Sequence, residues 1–174
     1  MHSIHPQVQF AKMFAKGAHI GQTHSGRPFW CHLEDVANTL DSYNLATGEL
    51  LCAAWLHDTI EDTPTTYQDL KQLFGEEIAE LVWAVTDEMG RNRKERKEKS
   101  HAKNFATRES TILKLADLYV NVKASINYET GHLKMYAKEW EGLMATFKEA
   151  VKTKAPEALS LLTDINELMI SSGY

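Results

Sequence analysis

The sequence is poor in cysteine, and it lacks both long apolar runs and an apolar leader. Its two cysteines, Cys31 and Cys52, have neither CxxC spacing nor a disulfide framework, which is typical of a reducing compartment. No apolar run approaches the roughly 18 residues that span a membrane. Residues 1–9 lack the apolar core of a signal peptide. We therefore predict a cytoplasmic protein with no membrane partner.

The chain also has no excess of lysine and arginine over acidic residues, which limits the kinds of ligand that it is expected to bind. The formal net charge of −5 argues against a general nucleic-acid binder, because such proteins are normally basic. It leaves open a small anionic ligand in a locally basic pocket. A chain of 174 residues is long enough to bury a sizeable core, and we predict a single domain over residues 1–174.

Glycine, proline and strand-like alternation are sparse, whereas apolar residues recur at helical spacing. The spacing predicts an all-α helical bundle of about eight helices, with a motif-bearing core over about residues 8–150 and a C-terminal helix over 155–171. Thr65 or Thr66 is suited to cap a short fourth helix, and Gly75 is well placed to end it. Residues 21–28 are rich in turn formers and are predicted to form a loop.

Residues 89–103 differ in composition from the rest of the chain. They contain seven lysines and arginines against two glutamates, and they have no apolar stripe. This composition predicts a solvated loop or a mobile helix. Two interpretations stay open, namely a surface charge run and a cationic segment that meets a phosphate group.

Residues 56–63 are the most informative stretch, because ionisable side chains follow directly on an apolar run. The run predicts a buried helix, and charged groups at its end are costly unless they bind something. Imidazole and carboxylate both bind divalent first-row ions, so His57 and Asp58 are candidate metal ligands. Glu61 and Asp62 follow them one helical turn later, where they suit the activation of a water. The alternative is a capped helix end in which His57 is only packed.

Two more residues would complete a mononuclear site. Among the 8 histidines, His32 is the best third ligand, because it opens a predicted helix just after the turn-rich loop. Asp117 is the best fourth ligand, since it lies beside the apolar stripe of a later helix, where a buried carboxylate needs a partner. Lys114 is the alternative partner of Asp117, which would make that pair structural.

Short motifs surround these residues in a characteristic order. They are Ala18-His19, Gln22, Gly26-Arg27-Pro28-Phe29, His32, His57-Asp58-Thr59-Ile60-Glu61-Asp62-Thr63, Phe74-Gly75, Val85-Thr86-Asp87 and Lys114-Leu115-Ala116-Asp117. The order His, His-Asp, Asp resembles the pattern of the HD-domain metal-dependent phosphohydrolases. The full set is more specific: it resembles the hydrolase domain of RelA/SpoT-type enzymes and the free-standing small alarmone hydrolases.

The resemblance implies a metal-dependent enzyme that hydrolyses the 3′-pyrophosphate of (p)ppGpp-like nucleotides and releases pyrophosphate. By position, Glu61 and Asp62 match the acidic pair that positions or deprotonates the attacking water in this family. No segment resembles a synthetase domain, so we expect degradation alone. The resemblance further implies that one Mn²⁺ is bound by His32, His57, Asp58 and Asp117.

The resemblance also implies contacts to the nucleotide substrate. Asn121 matches a residue near the sugar and phosphates. The basic stretch, represented by Arg91, Arg96 and Lys97, matches a loop that supplies cations to the pyrophosphate.

Two departures from the family pattern affect the expected substrate. Relatives that act on guanosine alarmones carry a base-stacking Arg in the loop after the Gln, but residues 22–26 contain none, which makes His24 the candidate to stack on the base. Asp117 is followed by Leu118, where the family often has Arg. The alternatives are a phosphohydrolase of another nucleotide, such as (p)ppApp or a phosphomonoester, and a non-catalytic nucleotide sensor. Monomer and homo-oligomer both stay open.

Overall fold

A computed structural model describes residues 6–128 and 132–174, without the side chains of Arg93, Lys94, Glu98 and His132. Within these ranges the chain forms ten α-helices and one short hairpin, which confirms the predicted all-α class. The elements are α1 Pro6–Ala18, β1 Thr23–His24, β2 Arg27–Pro28, α2 Trp30–Ser42, α3 Gly48–Leu56, α4 Thr59–Asp62, α5 Tyr67–Phe74, α6 Glu76–Val85, α7 Arg93–Asn104, α8 Arg108–Asn127, α9 His132–Lys154, a 3-10 turn Pro156–Ala158 and α10 Leu159–Ser171.

The core is built around α3 and α8. Helix α3 is apolar almost all round, with Leu50 and Leu56 fully buried, so it occupies the centre of the bundle. It packs against α1, α2, α6 and α8, while α8 also packs against α2, α9 and α10. Helices α2 and α8 carry His32 and Asp117, while His57 and Asp58 directly follow the end of α3. The mutual packing of these three helices brings the four side chains together.

Local signals set several helix ends as predicted. Thr66 caps α5 in a capping box with Asp69, in which each side chain binds the other residue's backbone N–H. Gly75, with φ of 91°, ends α5 and begins α6. Within the predicted loop, Ser25 and Gly26 have φ of 49° and 75°, as a two-residue hairpin turn between β1 and β2 requires.

The described residues form ten helices where about eight were predicted, and the difference lies in two segments. The 56–63 motif is divided, because α3 ends at Leu56 and the separate turn α4 begins at Thr59. The basic segment forms the helix α7, whose buried side chains are polar, which explains why it shows no apolar stripe. One of them, Ser100, accepts the Glu88 N–H at 2.7 Å and donates to the Arg96 carbonyl at 2.8 Å.

Among the described helices, none is both long and apolar enough to cross a membrane. Cys31 and Cys52 are both free thiols.

Candidate metal centre and active site

Four side chains, from α2, from α8 and from the junction between α3 and α4, meet in one cluster. His32 on α2 and His57 at the end of α3 bring their Nε2 atoms to 3.3 Å from each other. Asp117 Oδ1 on α8 lies 3.3 Å from His32 Nε2 and 3.7 Å from His57 Nε2. Asp58 Oδ2 lies 3.2 Å from His57 Nε2 and 3.5 Å from His32 Nε2. The two imidazoles are buried, and both carboxylates are largely enclosed.

Hydrogen bonds outside the cluster orient its members. His57 Nδ1 lies 2.8 Å from the Ala54 carbonyl, which can only accept, so Nδ1 carries a proton and Nε2 is the ring nitrogen that faces the cluster. Asn121 donates from Nδ2 to Asp117 Oδ1 at 2.6 Å, one helical turn along α8. Such bonds behind metal ligands fix ring tautomers and carboxylate orientation. Asp117 is therefore partnered by the histidines and Asn121, and the described residues show no ion pair between it and Lys114.

The charge balance of the cluster favours a cation. Burial lowers the pKa of His57, but Asp58 and Asp117 outweigh it and raise that pKa well above the usual value. Burial opposes ionisation of the two carboxyls, yet the neighbouring imidazoles hold the pKa of Asp58 and of Asp117 below the usual range. Two carboxylates around two imidazoles thus attract positive charge, which a divalent ion can supply in place of protons.

The spacing of the ligand atoms also fits a metal ion. Nitrogen and oxygen ligands at about 2.0–2.2 Å from one ion lie roughly 3–3.6 Å from their neighbours. Ligand atoms of His32, His57 and Asp117 all lie within 4.8 Å of one another, and the Asp58 oxygen is at 3.2–3.5 Å from both histidines. The residues present therefore fit a divalent ion.

The acidic pair lies beside the cluster, on the single turn α4. Glu61 Oε1 accepts the Asp87 N–H at 2.6 Å, and the Asp62 carbonyl accepts a hydrogen bond from Gln22 Nε2 at 2.8 Å. Both side chains reach solvent, but the surrounding protein removes part of their hydration. That partial burial, and then the negative charge of Asp58, raise the pKa of Glu61 and of Asp62.

The cluster and the acidic pair open into one cavity of about 430 Å³ between α4, α7, α8 and α9. Of the predicted substrate contacts, His24, Lys97 and Asn121 line this cavity. Its walls are formed by His24, Phe29, His32, Asp58, Glu61, Asp62, Asp87, Lys97, His101, Asn104, Phe105, Lys114, Asp117, Leu118, Asn121, Tyr136, Glu139, Gly142, Leu143 and Phe147.

Two predicted contacts are not brought to this cavity. The Arg91 side chain is 90% exposed and pairs with Glu95 at 3.0 Å, and Arg96 is exposed on α7. Neither arginine is part of the cavity wall. Their role in binding the pyrophosphate stays a prediction.

Sequence reasoning assigned no role to Asp87, which connects the basic helix to the acidic pair. Its carboxylate binds Lys97 Nζ at 2.9 Å and lies 4.0 Å from Lys114 Nζ, while its N–H holds Glu61. The motif Val85-Thr86-Asp87 was the available signal. The α9 residues such as Tyr136 gave none, because their helical spacing is that of an ordinary core.

His24 lies at the cavity wall beside the cluster, and its role in stacking on a base stays a prediction. Its ring stacks on His32 with centroids 4.5 Å apart and meets Phe29 edge-on at 5.8 Å. The hairpin β1–β2 thus places an imidazole at the cavity wall next to the cluster.

A helical bundle with a histidine–aspartate cluster between three helices defines an all-α protein with a candidate metal centre. The chain belongs to the HD-domain family, whose model matches residues 9–116.

Similar proteins include the bifunctional (p)ppGpp synthase/hydrolase SpoT of Escherichia coli (strain K12), which is 46% identical over 100 residues, or 57% of this chain and 14% of SpoT. The guanosine-3′,5′-bis(diphosphate) 3′-pyrophosphohydrolase MESH1 of Danio rerio is 35% identical over 116 residues, or 63% of this chain and 64% of that protein. The chain thus spans about one seventh of the length of SpoT.

The fold is shared with a solved structure described as a metazoan orthologue of SpoT that hydrolyses ppGpp. The TM-score is 0.74, with 23% sequence identity and coverage of 97% of both chains.

Proposed function

We propose that this protein is a Mn²⁺-dependent hydrolase of the 3′-pyrophosphate of (p)ppGpp-like nucleotides, with pyrophosphate as the product. The observation that carries the proposal is that the histidine–aspartate cluster, through His32, Asp58 and Asp117, lines one cavity together with the acidic pair and two lysines. The names of the similar proteins SpoT and MESH1 support the substrate class.

In this proposal the ion is held by the cluster described above. When bound, it supplies Lewis-acid chemistry, which polarises a phosphoryl oxygen and acidifies water. The hydrogen bond from His57 Nδ1 to Ala54 and that from Asn121 to Asp117 keep the ligand atoms aimed at one point. Mixed imidazole and carboxylate ligands are compatible with Mn²⁺ and with other first-row ions. The ligands are His32, His57, Asp58 and Asp117.

Glu61 and Asp62 orient the attacking water and accept its proton. Their pKa values are raised by partial burial and by Asp58, which makes each carboxylate a better proton acceptor near neutral pH. Because the Asp87 N–H fixes Glu61 Oε1, the carboxylate is held in one orientation at the cavity wall.

Lys97 and Lys114 contribute positive charge for the phosphates. Both residues line the cavity, and the Asp87 carboxylate lies 2.9 Å from Lys97 Nζ and 4.0 Å from Lys114 Nζ. Cations at the cavity wall attract the phosphates of the bound nucleotide throughout the reaction, so we expect their loss to weaken substrate binding and raise KM.

An adenosine alarmone such as (p)ppApp is the second candidate substrate. The observation that favours it is that the 22–26 loop offers the His24 ring, and no Arg, at the cavity wall. A non-catalytic nucleotide sensor is a further alternative, but a sensor has no use for the acidic pair. A phosphomonoesterase is the other alternative, and its product would be orthophosphate.

The test is product analysis with purified protein, Mn²⁺ and either ppGpp or ppApp. We expect pyrophosphate and an intact 5′-diphosphate, and no reaction after chelation of the metal. Orthophosphate as the sole direct product would establish a phosphomonoesterase instead. Tight nucleotide binding without turnover would establish the sensor.

A further inference from the structure

Helix α4, which carries the acidic pair, is a single turn of 4 residues, Thr59–Asp62. One turn of helix is not stable by itself, because a nucleus fixes several residues for very few hydrogen bonds. Its own backbone bonds are Asp62 N–H to the Asp58 carbonyl and Thr63 N–H to the Thr59 carbonyl. The orientation of the acidic pair therefore depends on contacts from other elements.

Gln22 makes such a contact at the end of the turn. Its Nε2 donates to the Asp62 carbonyl at 2.8 Å, across 40 positions of the sequence. Its own carbonyl accepts the Phe29 N–H at 3.0 Å, which ties Gln22 to the base of the hairpin. The side chain is thus held by a rigid element, and its amide reaches the backbone next to the Asp62 carboxylate.

His19 fixes the direction in which the Gln22 amide points. Its Nδ1 lies 2.7 Å from Gln22 Oε1, and its ring stacks on Phe29 with centroids 4.2 Å apart and an interplanar angle of 3°. Because Gln22 donates through Nε2, its Oε1 accepts, so His19 Nδ1 carries the proton. His19 is only 3% exposed, and among the described residues its Nε2 has no hydrogen-bond partner. The hydrogen bond of the ring to the site therefore runs through Gln22.

We propose that Gln22, oriented by His19, is a positioning residue that sets the place of Glu61 and Asp62 relative to the metal ligands. The inference rests on the proposed hydrolase function. A displaced acidic pair slows the chemical step, whereas the metal ligands and the lysines that face the cavity stay in place. Loss of this contact therefore lowers kcat and leaves KM and metal content unchanged.

The kinetic test uses two neutral substitutions that remove the hydrogen bonds without adding charge. Gln22→Met keeps the length of the side chain, and His19→Phe keeps an aromatic ring to stack on Phe29. A misplacement of about 1 Å costs about a hundredfold in rate, so we expect kcat of Gln22→Met to fall about tenfold to a hundredfold. KM and bound Mn²⁺ should stay within about twofold of wild type, which is a much smaller change than the expected fall in kcat.

The double variant tests whether His19 acts through Gln22. Side chains that act as one unit are non-additive, so the double variant should lose about as much kcat as Gln22→Met alone. Tyr43→Phe is the control for mere loss of stability, because Tyr43 hydrogen-bonds Asp164 between α2 and α10, outside the cavity. It should lower the melting temperature without changing kcat. Wild-type kcat in Gln22→Met, or additive losses in the double variant, would overturn the proposal.

A measurement on the wild-type protein separates this inference from the proposed function. In ¹⁵N NMR spectra, the side-chain amide of Gln22 should exchange with solvent at least about tenfold more slowly than an exposed glutamine, and His19→Phe should remove that protection. Protection without any hydrolysis by wild type refutes the hydrolase proposal and, with it, the kinetic role. Exchange as fast as an exposed glutamine overturns the contact itself, whatever the activity.

Discussion

Replacing Glu61 with glutamine removes a proton acceptor and keeps the shape of the side chain. Glu61 Oε1 accepts the Asp87 N–H at 2.6 Å, and an amide oxygen in the same place can accept that bond. Glu61 is not one of the candidate metal ligands, so the histidine–aspartate cluster should keep its geometry. The substitution therefore tests the chemical role of the carboxylate apart from metal binding and folding.

The expected loss follows from the role of the carboxylate as a general base. Such assistance is typically worth about 10²–10⁴ in rate. We expect kcat of Glu61→Gln to fall at least about a hundredfold, or roughly 3 kcal/mol at about 1.4 kcal/mol per tenfold. KM and bound Mn²⁺ should be close to wild type.

The Glu61→Gln variant should lose kcat without losing folding stability. Burial and Asp58 raise the pKa of Glu61 above its unfolded value. As pH rises, the Glu61 carboxyl loses its proton at a lower pH in the unfolded chain than in the folded one. The folded state therefore loses stability over the pH interval between the pKa of Glu61 in the unfolded chain and its pKa in the folded chain. Above that interval the ionised Glu61 opposes folding, and metal-free Glu61→Gln should melt at or above the wild-type temperature.

The assay is pyrophosphate release at saturating ppGpp, together with elemental analysis and thermal melting. Glu77→Gln is the matched control, because Glu77 is an exposed residue of α6 outside the cavity and undergoes the same chemical change. It should behave as wild type. Asp62→Asn repeats the test at the second carboxylate. Near wild-type turnover in both Glu61→Gln and Asp62→Asn would refute the role of the acidic pair.

Three further predictions concern the metal, the substrate and the bundle. His57→Ala and Asp58→Ala should each lose bound Mn²⁺ by elemental analysis, and a full equivalent in either would remove that residue from the ligand set. Lys97→Met should raise KM about tenfold at low ionic strength with kcat largely kept, and an unchanged KM would remove Lys97 from the substrate contacts. Arg96 lies outside the cavity wall, and a wild-type KM in Arg96→Met would remove it from the predicted pyrophosphate contacts. Tyr43→Phe should cost about 1 kcal/mol in unfolding free energy through the lost hydrogen bond to α10, and an unchanged denaturation midpoint would contradict this.

Much of the helical framework follows from local sequence patterns. The capping residue Thr66 and the terminating Gly75 set α5 as predicted, because their hydrogen bonds and backbone angles involve only neighbouring residues. The order His32, His57-Asp58, Asp117 likewise predicts a shared cluster, since polar groups carried into a buried region need partners.

Other features depend on packing between distant segments. The break in the helix between α3 and α4 was not predicted, because residues 56–63 contain no glycine or proline to mark it. The basic segment became α7 through buried polar contacts of Ser100, which no apolar period reveals.

The all-α class, the helix faces and the residues of the cluster thus follow from the sequence. The packing of distant helices sets the rest: Lys97 lines the cavity while Arg96 does not, Asp87 holds Glu61, and α9 forms part of the cavity wall. The difference is one of range. Hydrophobic period and capping act within a few residues, whereas distances between helices depend on how all their side chains pack together.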